Sequence, residues 1–309
     1  MKKVAFIFPG QGSQAVGMGK DFFENSDIAK EMIKKASNRL NIDFEKLLFE
    51  ENDNLGKTEF TQPAILLVSS IALAIFKEKC DIKPEFVLGH SLGEFSALIA
   101  AGAIDYLDAI ELVNKRGIFM TEACAGGGAG MMALVGIDDE KVETICKEQR
   151  VKGLKVWPAN YNMDGQLVLA GLKADLESLV DTFKNAGAKR ALVLDMSVAS
   201  HCELLESAVE NLKPYLIEFL NEEFSNVVSN VSANFYSTKD EAVELLASQL
   251  ISPVKYKQSI KAFDDKVDLF IEFGHGAVLK GLNRKISDKP TLNVSDIKTL
   301  NETLEALND

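Results

Sequence analysis

Residues 86–97 read FVLGHSLGEFSA, and the five residues Gly89-His90-Ser91-Leu92-Gly93 decide how the rest of the chain is read. This is a G-x-S-x-G stretch with the right surroundings. Phe86-Val87-Leu88 is a short, wholly apolar run that predicts a buried strand, and Leu92 to Ala101 is rich in Leu, Ala and Glu and predicts a helix. Between them the chain must turn sharply, and glycines on either side of Ser91 remove the Cβ atoms that would block the turn. A serine at such a corner is exposed. The helix behind it offers free backbone N–H groups and the positive end of its dipole. An acyl-transfer site needs those parts: a hydroxyl nucleophile, and donors aimed at a developing oxyanion.

The bulk numbers narrow the setting. At 309 residues the chain can bury a large core, as one large domain or a large one with a small one. A hydrophobic share of 47% and a charged share of 26% are ordinary for a soluble globular protein. The net charge of −12 leaves no basic stripe to neutralise phosphates, which argues against nucleic acid as a partner. No apolar run reads as long enough to span a bilayer, so no membrane partner is expected. Met1-Lys2-Lys3-Val4 leads at once into a strand that Pro9-Gly10 closes, which is too short for a signal peptide. Cys80, Cys124, Cys146 and Cys202 have neither C-x-x-C nor metal-type spacing, so they read as reduced thiols of a cytoplasmic protein with no metal site.

Along the chain, Lys3 to Phe8 predicts a buried strand followed by Gly10-Gln11-Gly12-Ser13-Gln14-Ala15. The pattern Gly10-x-Gly12-x-x-Ala15 resembles a dinucleotide fingerprint, but residues 22–49 read as helices and hold no second strand, so that reading fails on context. The loop instead brings Gln11 to a strand end, where α/β sheets bind ligands. Thr61-Gln62-Pro63-Ala64 predicts the start of a core helix running to about Lys79, with Pro63 in its first turn. Tyr106 to Ala123 predicts an amphipathic helix on which Arg116 shares a face with Leu112, Val113, Phe119 and Met120. An arginine in an apolar stripe needs an anionic partner. Periodicity leaves open whether that is a carboxylate of the protein, such as Glu94, or an acidic substrate.

Gly126-Gly127-Gly128 is the clearest linker. Beyond it the pattern is strand (131–135), helix (138–149), strand (154–160), strand (166–170), helix (173–186) and strand (190–195), the split-βαβ order of a ferredoxin-like unit. A small subdomain over residues 129–198 is expected to interrupt a large one made of 1–128 and 199–309. Ser197-Val198-Ala199-Ser200-His201-Cys202 brings the chain back. Residues 226–231 then predict a strand, 240–250 and 255–263 helices and 268–273 a buried strand, and a helix pair closes the chain.

A serine nucleophile requires a general base, and the chain has three histidines. His90 adjoins Ser91, and its ring should point away from the hydroxyl. His275 follows the last buried strand and several acidic residues, the chain order of α/β serine hydrolases. His201 lies at the junction of the two domains. These considerations leave His201 and His275 level. Cys202, next to His201, reads as packing, because neighbouring side chains rarely face each other productively.

Taken together, several motifs resemble the malonyl-CoA:acyl carrier protein transacylases of bacterial fatty-acid synthesis: Phe8-Pro9-Gly10-Gln11-Gly12-Ser13-Gln14, Thr61-Gln62-Pro63-Ala64, Gly89-His90-Ser91-Leu92-Gly93-Glu94, Arg116-Gly117, Asn160-x-Asn162, Ser200-His201-Cys202 and Gln249-Leu250-x-x-Pro253-Val254. The resemblance covers nearly the whole chain. It implies an α/β-hydrolase-like core with a mostly parallel sheet and an inserted ferredoxin-like lobe. It implies that Ser91 takes the malonyl group from malonyl-CoA and passes it to the phosphopantetheine thiol of acyl carrier protein, with His201 as base and no added cofactor. Backbone carbonyls near Gln249 would orient the base, and the N–H groups of Gln11 and Leu92 would form the oxyanion hole. Arg116 would bind the malonyl carboxylate, with Gln62, Asn160, Asn162 and Gln249 on the substrate side of the site. This chain departs from the family at Ala199 and Asp164, where proline is common, so looser turns are expected there. It also has Gly274-His275-Gly276 where Gly-Pro-Gly is usual. The competing readings are an esterase or thioesterase using Ser91 and His275, and a silent scaffold that binds carrier proteins.

Overall fold

Strand β1 (Val4–Phe8) alternates its side chains between two apolar layers, and the architecture grows from that alternation. Val4, Phe6 and Phe8 enter the larger core, while Ala5 and Ile7 enter a second core on the opposite face of the sheet. A strand buried on both faces belongs inside a parallel sheet covered by helices. The structure, a computed structural model, describes residues 2–196 and 198–308. Met1 and Ser197, read above as part of the N-terminal lead and of the returning segment, lie outside the described residues.

After β1 come helices α1 (Lys20–Asn25), α2 (Asp27–Leu40), α3 (Phe44–Phe49) and α4 (Thr58–Lys79). Strand β2 (Phe86–Gly89) and helices α5 (Gly93–Ala101) and α6 (Tyr106–Ala123) follow. The chain then builds β3 (Ala129–Val135), α7 (Asp139–Val151), β4 (Val156–Met163), β5 (Gln166–Leu172), α8 (Lys173–Ser178), α9 (Val180–Asn185) and β6 (Arg190–Val193). It continues with α10 (Glu206–Phe219), β7 (Glu223–Val228), β8 (Phe235–Thr238), α11 (Lys239–Gln249) and α12 (Tyr256–Phe263). Strand β9 (Leu269–Phe273), α13 (Val278–Asn283), β10 (Thr291–Val294) and α14 (Ile297–Asn308) close it.

Two sheets result. The main sheet has the order β10-β9-β1-β2-β7-β8, parallel throughout except for the antiparallel edge pair β7–β8. The second, β4-β5-β3-β6, is antiparallel at every pairing. Its split-βαβ order closes over a core of its own around Met132, Leu134, Val142, Leu169 and Phe183. The second sheet is tied to the segment between α11 and α12, where Asn160 of β4 bridges Val254 and Tyr161 N–H donates to the Val254 carbonyl at 2.9 Å.

Several details differ from the sequence reading. Helix α4 begins at Thr58, one turn before Thr61, so Pro63 lies inside it. The Glu59 carbonyl that Pro63 cannot serve accepts instead from Asn114 Nδ2 at 2.8 Å, and Thr61 Oγ1 donates to the Lys57 carbonyl at 2.9 Å. The same 22-residue helix is long and apolar enough to cross a membrane by length and composition, contrary to expectation, yet 83% of its most apolar window is buried inside the fold, as befits a core helix. The helix read over 173–186 breaks at Leu179 into α8 and α9. Strands β8 and β10, four residues each, were too short to register as periodic patterns, and β10 separates what reads as a closing helix pair. The turn at Asp164 is tied down, because its carboxylate meets Lys257 at 3.0 Å and Lys261 at 2.7 Å.

Candidate active site

The corner after β2 is closed against itself. A Cβ on Gly89 would lie 1.8 Å from the carbonyl carbon of Gly93, and one on Gly93 would lie 2.0 Å from the Phe8 carbonyl oxygen. Only hydrogen fits at either position. Ser91 sits at the tip with φ of +53°, a left-handed conformation that a side-chain-bearing residue holds only when its surroundings impose it. Asn230 imposes it from below. Its Oδ1 accepts from Ser91 N–H at 2.7 Å, and its Nδ2 donates to the Gly89 carbonyl at 2.7 Å. Gln11, Ser91 and Asn230 therefore follow the C-terminal ends of the adjacent parallel strands β1, β2 and β7, the edge at which open α/β sheets bind ligands.

His201 meets the serine. Its Nε2 lies 2.7 Å from Ser91 Oγ, and its Nδ1 lies 2.7 Å from the backbone carbonyl of Gln249. A carbonyl oxygen can only accept, so Nδ1 carries the proton and Nε2 is left to accept from the Ser91 hydroxyl. The ring is 2% exposed. Burial, and after it the positive charge of Arg116, push His201 down to about 3, so it is a neutral base at physiological pH. His275, by contrast, stands past the end of β9, two strands from β2, and does not line the cleft around Ser91. Cys202 is fully buried, and burial pushes its thiol up to about 12, which leaves it unreactive.

Arg116 is 1% exposed and lies beside the nucleophile. Its guanidinium donates to Gln62 Oε1 at 2.8 Å, to Gln249 Oε1 at 2.9 Å and to Ser91 Oγ at 3.4 Å, and it stands 5.4 Å from the centre of the Phe95 ring. Its Nε finds no acceptor among the described residues. Glu94, weighed above as its partner, instead takes Gln249 Nε2 at 2.7 Å, Asn230 N–H at 3.1 Å and Tyr236 O–H at 2.9 Å. Arg116 is thus a buried cation whose direct acceptors are all neutral, among the described residues. Burial lowers it to about 10, still charged at neutral pH.

Above these groups opens a cleft of about 920 Å³, lined on one side by Gln11, His90, Ser91 and Leu92 and on the other by Asn160, Asn162 and Met196 from the second lobe and its exit. Among the described residues the backbone N–H groups of Gln11 and Leu92 have no acceptor, and both residues line the cleft. Asn162 Oδ1 is 2.8 Å from His90 Nε2, which turns the His90 ring to the cleft wall. Gln62 and Gln249 do not reach that wall; they stand behind Arg116 and hold it. Asn230 escaped the sequence reading because residues 226–231 read as one strand. The strand stops at Val228, and the released chain turns Asn230 under the elbow.

Comparison with known proteins bears on the whole chain. The family model described as acyl transferase domain matches residues 5–301. The malonyl CoA-acyl carrier protein transacylase of Bacillus subtilis (strain 168) is 40% identical, over 100% of this chain and 98% of its own length. Among solved structures, the malonyl-CoA:acyl carrier protein transacylase from Helicobacter pylori superposes with a TM-score of 0.96 at 45% identity, covering 100% of this chain and 99% of that one. A structure of a type II PKS acyl-carrier protein in complex with its malonyl-transacylase matches with a TM-score of 0.95 at 36% identity, over 98% of this chain and 99% of that one. With the family model matching residues 5–301 and relatives 40% and 45% identical over 100% of the chain, the chain belongs to the acyl transferase family, among the malonyl CoA-acyl carrier protein transacylases.

Proposed function

We propose that this enzyme moves a malonyl group from malonyl-CoA to the phosphopantetheine thiol of acyl carrier protein, for fatty-acid synthesis, by way of a malonyl ester on Ser91. The observation that carries the reading is Arg116: a buried guanidinium with neutral acceptors only, 3.4 Å from the nucleophilic oxygen. A substrate carboxylate supplies the missing charge and can bond the planar fork with two oxygens.

In the first half-reaction His201 Nε2 takes the Ser91 proton as Oγ attacks the thioester carbonyl carbon. The oxyanion is received by the N–H groups of Gln11 and Leu92. The C–S bond then breaks, and the departing CoA sulfur takes the proton from His201. In the second, the carrier's thiol gives its proton to Nε2 and attacks the malonyl ester, and Ser91 leaves with that proton. The Gln249 carbonyl stabilises the imidazolium formed in each half, so a dyad suffices without a triad carboxylate. The nucleophile, base and oxyanion donors all belong to the chain, so this route calls for no metal or prosthetic group. Residues 129–198 serve as a lobe that brings Asn160 and Asn162 over the acyl chain. Free thiols at Cys80, Cys124, Cys146 and Cys202 suit a cytoplasmic setting.

Intact-mass analysis after incubation with malonyl-CoA and acetyl-CoA in competition tests the proposal. A malonyl adduct on Ser91, discharged by carrier protein, is expected. An acyl adduct that water removes as fast as carrier protein would favour the thioesterase reading instead.

A further inference from the structure

Glu94 is a fully buried carboxylate on the second residue of α5, and the reaction itself does not use it. Three donors converge on it. Gln249 Nε2 and Asn230 N–H share one oxygen, at 2.7 and 3.1 Å, and Tyr236 O–H takes the other at 2.9 Å. A side-chain amide such as that of Gln249 can occupy its site in two orientations, with oxygen and nitrogen exchanged. Here the orientation decides what Arg116 meets. With Nε2 held by Glu94 and by the Ser91 carbonyl at 3.1 Å, Oε1 is left facing the guanidinium at 2.9 Å. Reversed, the amide would set an NH₂ group against a cation that has no spare acceptor.

We infer that Glu94 is a positioning residue for acyl selectivity: it locks the Gln249 amide with its oxygen toward Arg116 and so holds the guanidinium where a substrate carboxylate can reach it. This rests on the reading of Arg116 as the carboxylate clamp. Burial raises Glu94 to about 7, with Gln249, Tyr236 and Asn230 opposing that rise and the charge of Arg116 opposing it further. A glutamine at position 94 retains an acceptor for Gln249 and Asn230 and can turn its NH₂ to the Tyr236 oxygen, so acceptor geometry and charge are separable.

The experiment measures the ratio of malonyl to acetyl on Ser91 after competition between the two thioesters, for the full chain. Glu94→Met should lower the ratio at least tenfold while Ser91 still takes acetyl. Glu94→Gln should keep it within about threefold of the parent. Gln249→Met should lower it as far as Glu94→Met, and the double variant Glu94→Met/Gln249→Met no further, because the two act as one unit. A Glu94→Met protein that keeps its malonyl preference, or loses malonyl and acetyl transfer equally, overturns the inference. So does a tenfold fall in Glu94→Gln. If Glu94→Met does not fold, an unchanged ratio in Gln249→Met overturns it alone. Arg116→Ala separates the two levels. No change there sinks the clamp itself, whereas a change there with none in the Glu94 and Gln249 variants sinks only the role of Glu94.

Discussion

The backbone carbonyl of Gln249 lies 2.7 Å from Nδ1 of His201, and this contact selects the tautomer of the base. The same residue's side chain holds Arg116 at 2.9 Å. The His201 imidazole and the Arg116 guanidinium are therefore anchored at one point, the last residue of α11. A shift of α11 would disturb rate and specificity together, whereas substitutions at the separate ends of this hub should divide them.

Arg116→Ala should abolish the preference for malonyl over acetyl. Removing one member of a buried charge-assisted pair costs roughly 2–5 kcal/mol, or about 30-fold to several-thousand-fold in kcat/KM for malonyl-CoA. Acetyl transfer should hold or improve, because acetyl has no carboxylate to lose. Steady-state kinetics with the two thioesters measured separately provide the check.

His201→Ala should reduce acylation of Ser91 by about 10²–10⁴-fold, the usual worth of a positioned general base. His275→Ala should leave it within about threefold, since His275 is outside the cleft. Rapid-quench measurement of the acyl-enzyme in both proteins decides between the bases. Loss confined to the His275 variant would reverse the assignment.

The position of His201 on the pH scale gives both a rate and a stability expectation. Its folded value, about 3, lies below the ordinary 6.5, so lowering the pH through 6.5 should not cost acylation the step expected of a solvent-exposed histidine. Between 6.5 and about 3 the unfolded chain binds a proton at residue 201 that the folded one refuses. Stability from this residue therefore falls as pH falls through that window, by up to about 1.4 kcal/mol per unit. Glu94 and Glu272, each raised to about 7 by burial, act in the opposite sense below neutrality, equally in parent and variant. Denaturant melts of the parent and His201→Gln at a series of acid pH values should show the variant losing less stability per unit.

Asn230→Leu should remove the brace beneath the elbow and leave Ser91 N–H and the Gly89 carbonyl without their 2.7 Å partners. Each orphaned buried group costs about 1–3 kcal/mol, so a fall in Tm and a loss of acylation together are expected. Asn230→Asp keeps the acceptor for Ser91 N–H but not the donor to Gly89, and should fall between the two in thermal melts.

On a chain with a net charge of −12, an acidic carrier would have to dock on a local cationic patch. Lys189 and Arg190 are exposed at the start of β6, an edge strand of the second sheet whose continuation through Leu194 and Met196 lines the cleft. Charge reversal at both should raise KM for carrier protein by about tenfold, a loss of about 1.4 kcal/mol, and leave transfer to free pantetheine unchanged. Reversal at Arg284 and Lys285, exposed beyond α13, is the parallel arm. An effect only there would place docking on that side.

Local chemistry was legible before any fold was known. The elbow, the strand before it and the helix behind it are consecutive, so steric need and periodicity wrote them into residues 86–101. Arg116 among Leu112, Val113 and Met120 announced a buried cation because a helix places neighbours three and four apart on one face. The alternation of the second lobe was likewise readable, since each of its elements is set by its own residues. What chain order left open was decided by contacts far apart in sequence. Ser91 and His201 stand 110 residues apart, Arg116 and Gln249 133, and Ser91 and Asn230 139. His201 and His275 were equal in composition and context. The resemblance favoured His201, and in the fold its ring alone of the two is shown between the Ser91 hydroxyl and the Gln249 carbonyl, at 2.7 Å from each.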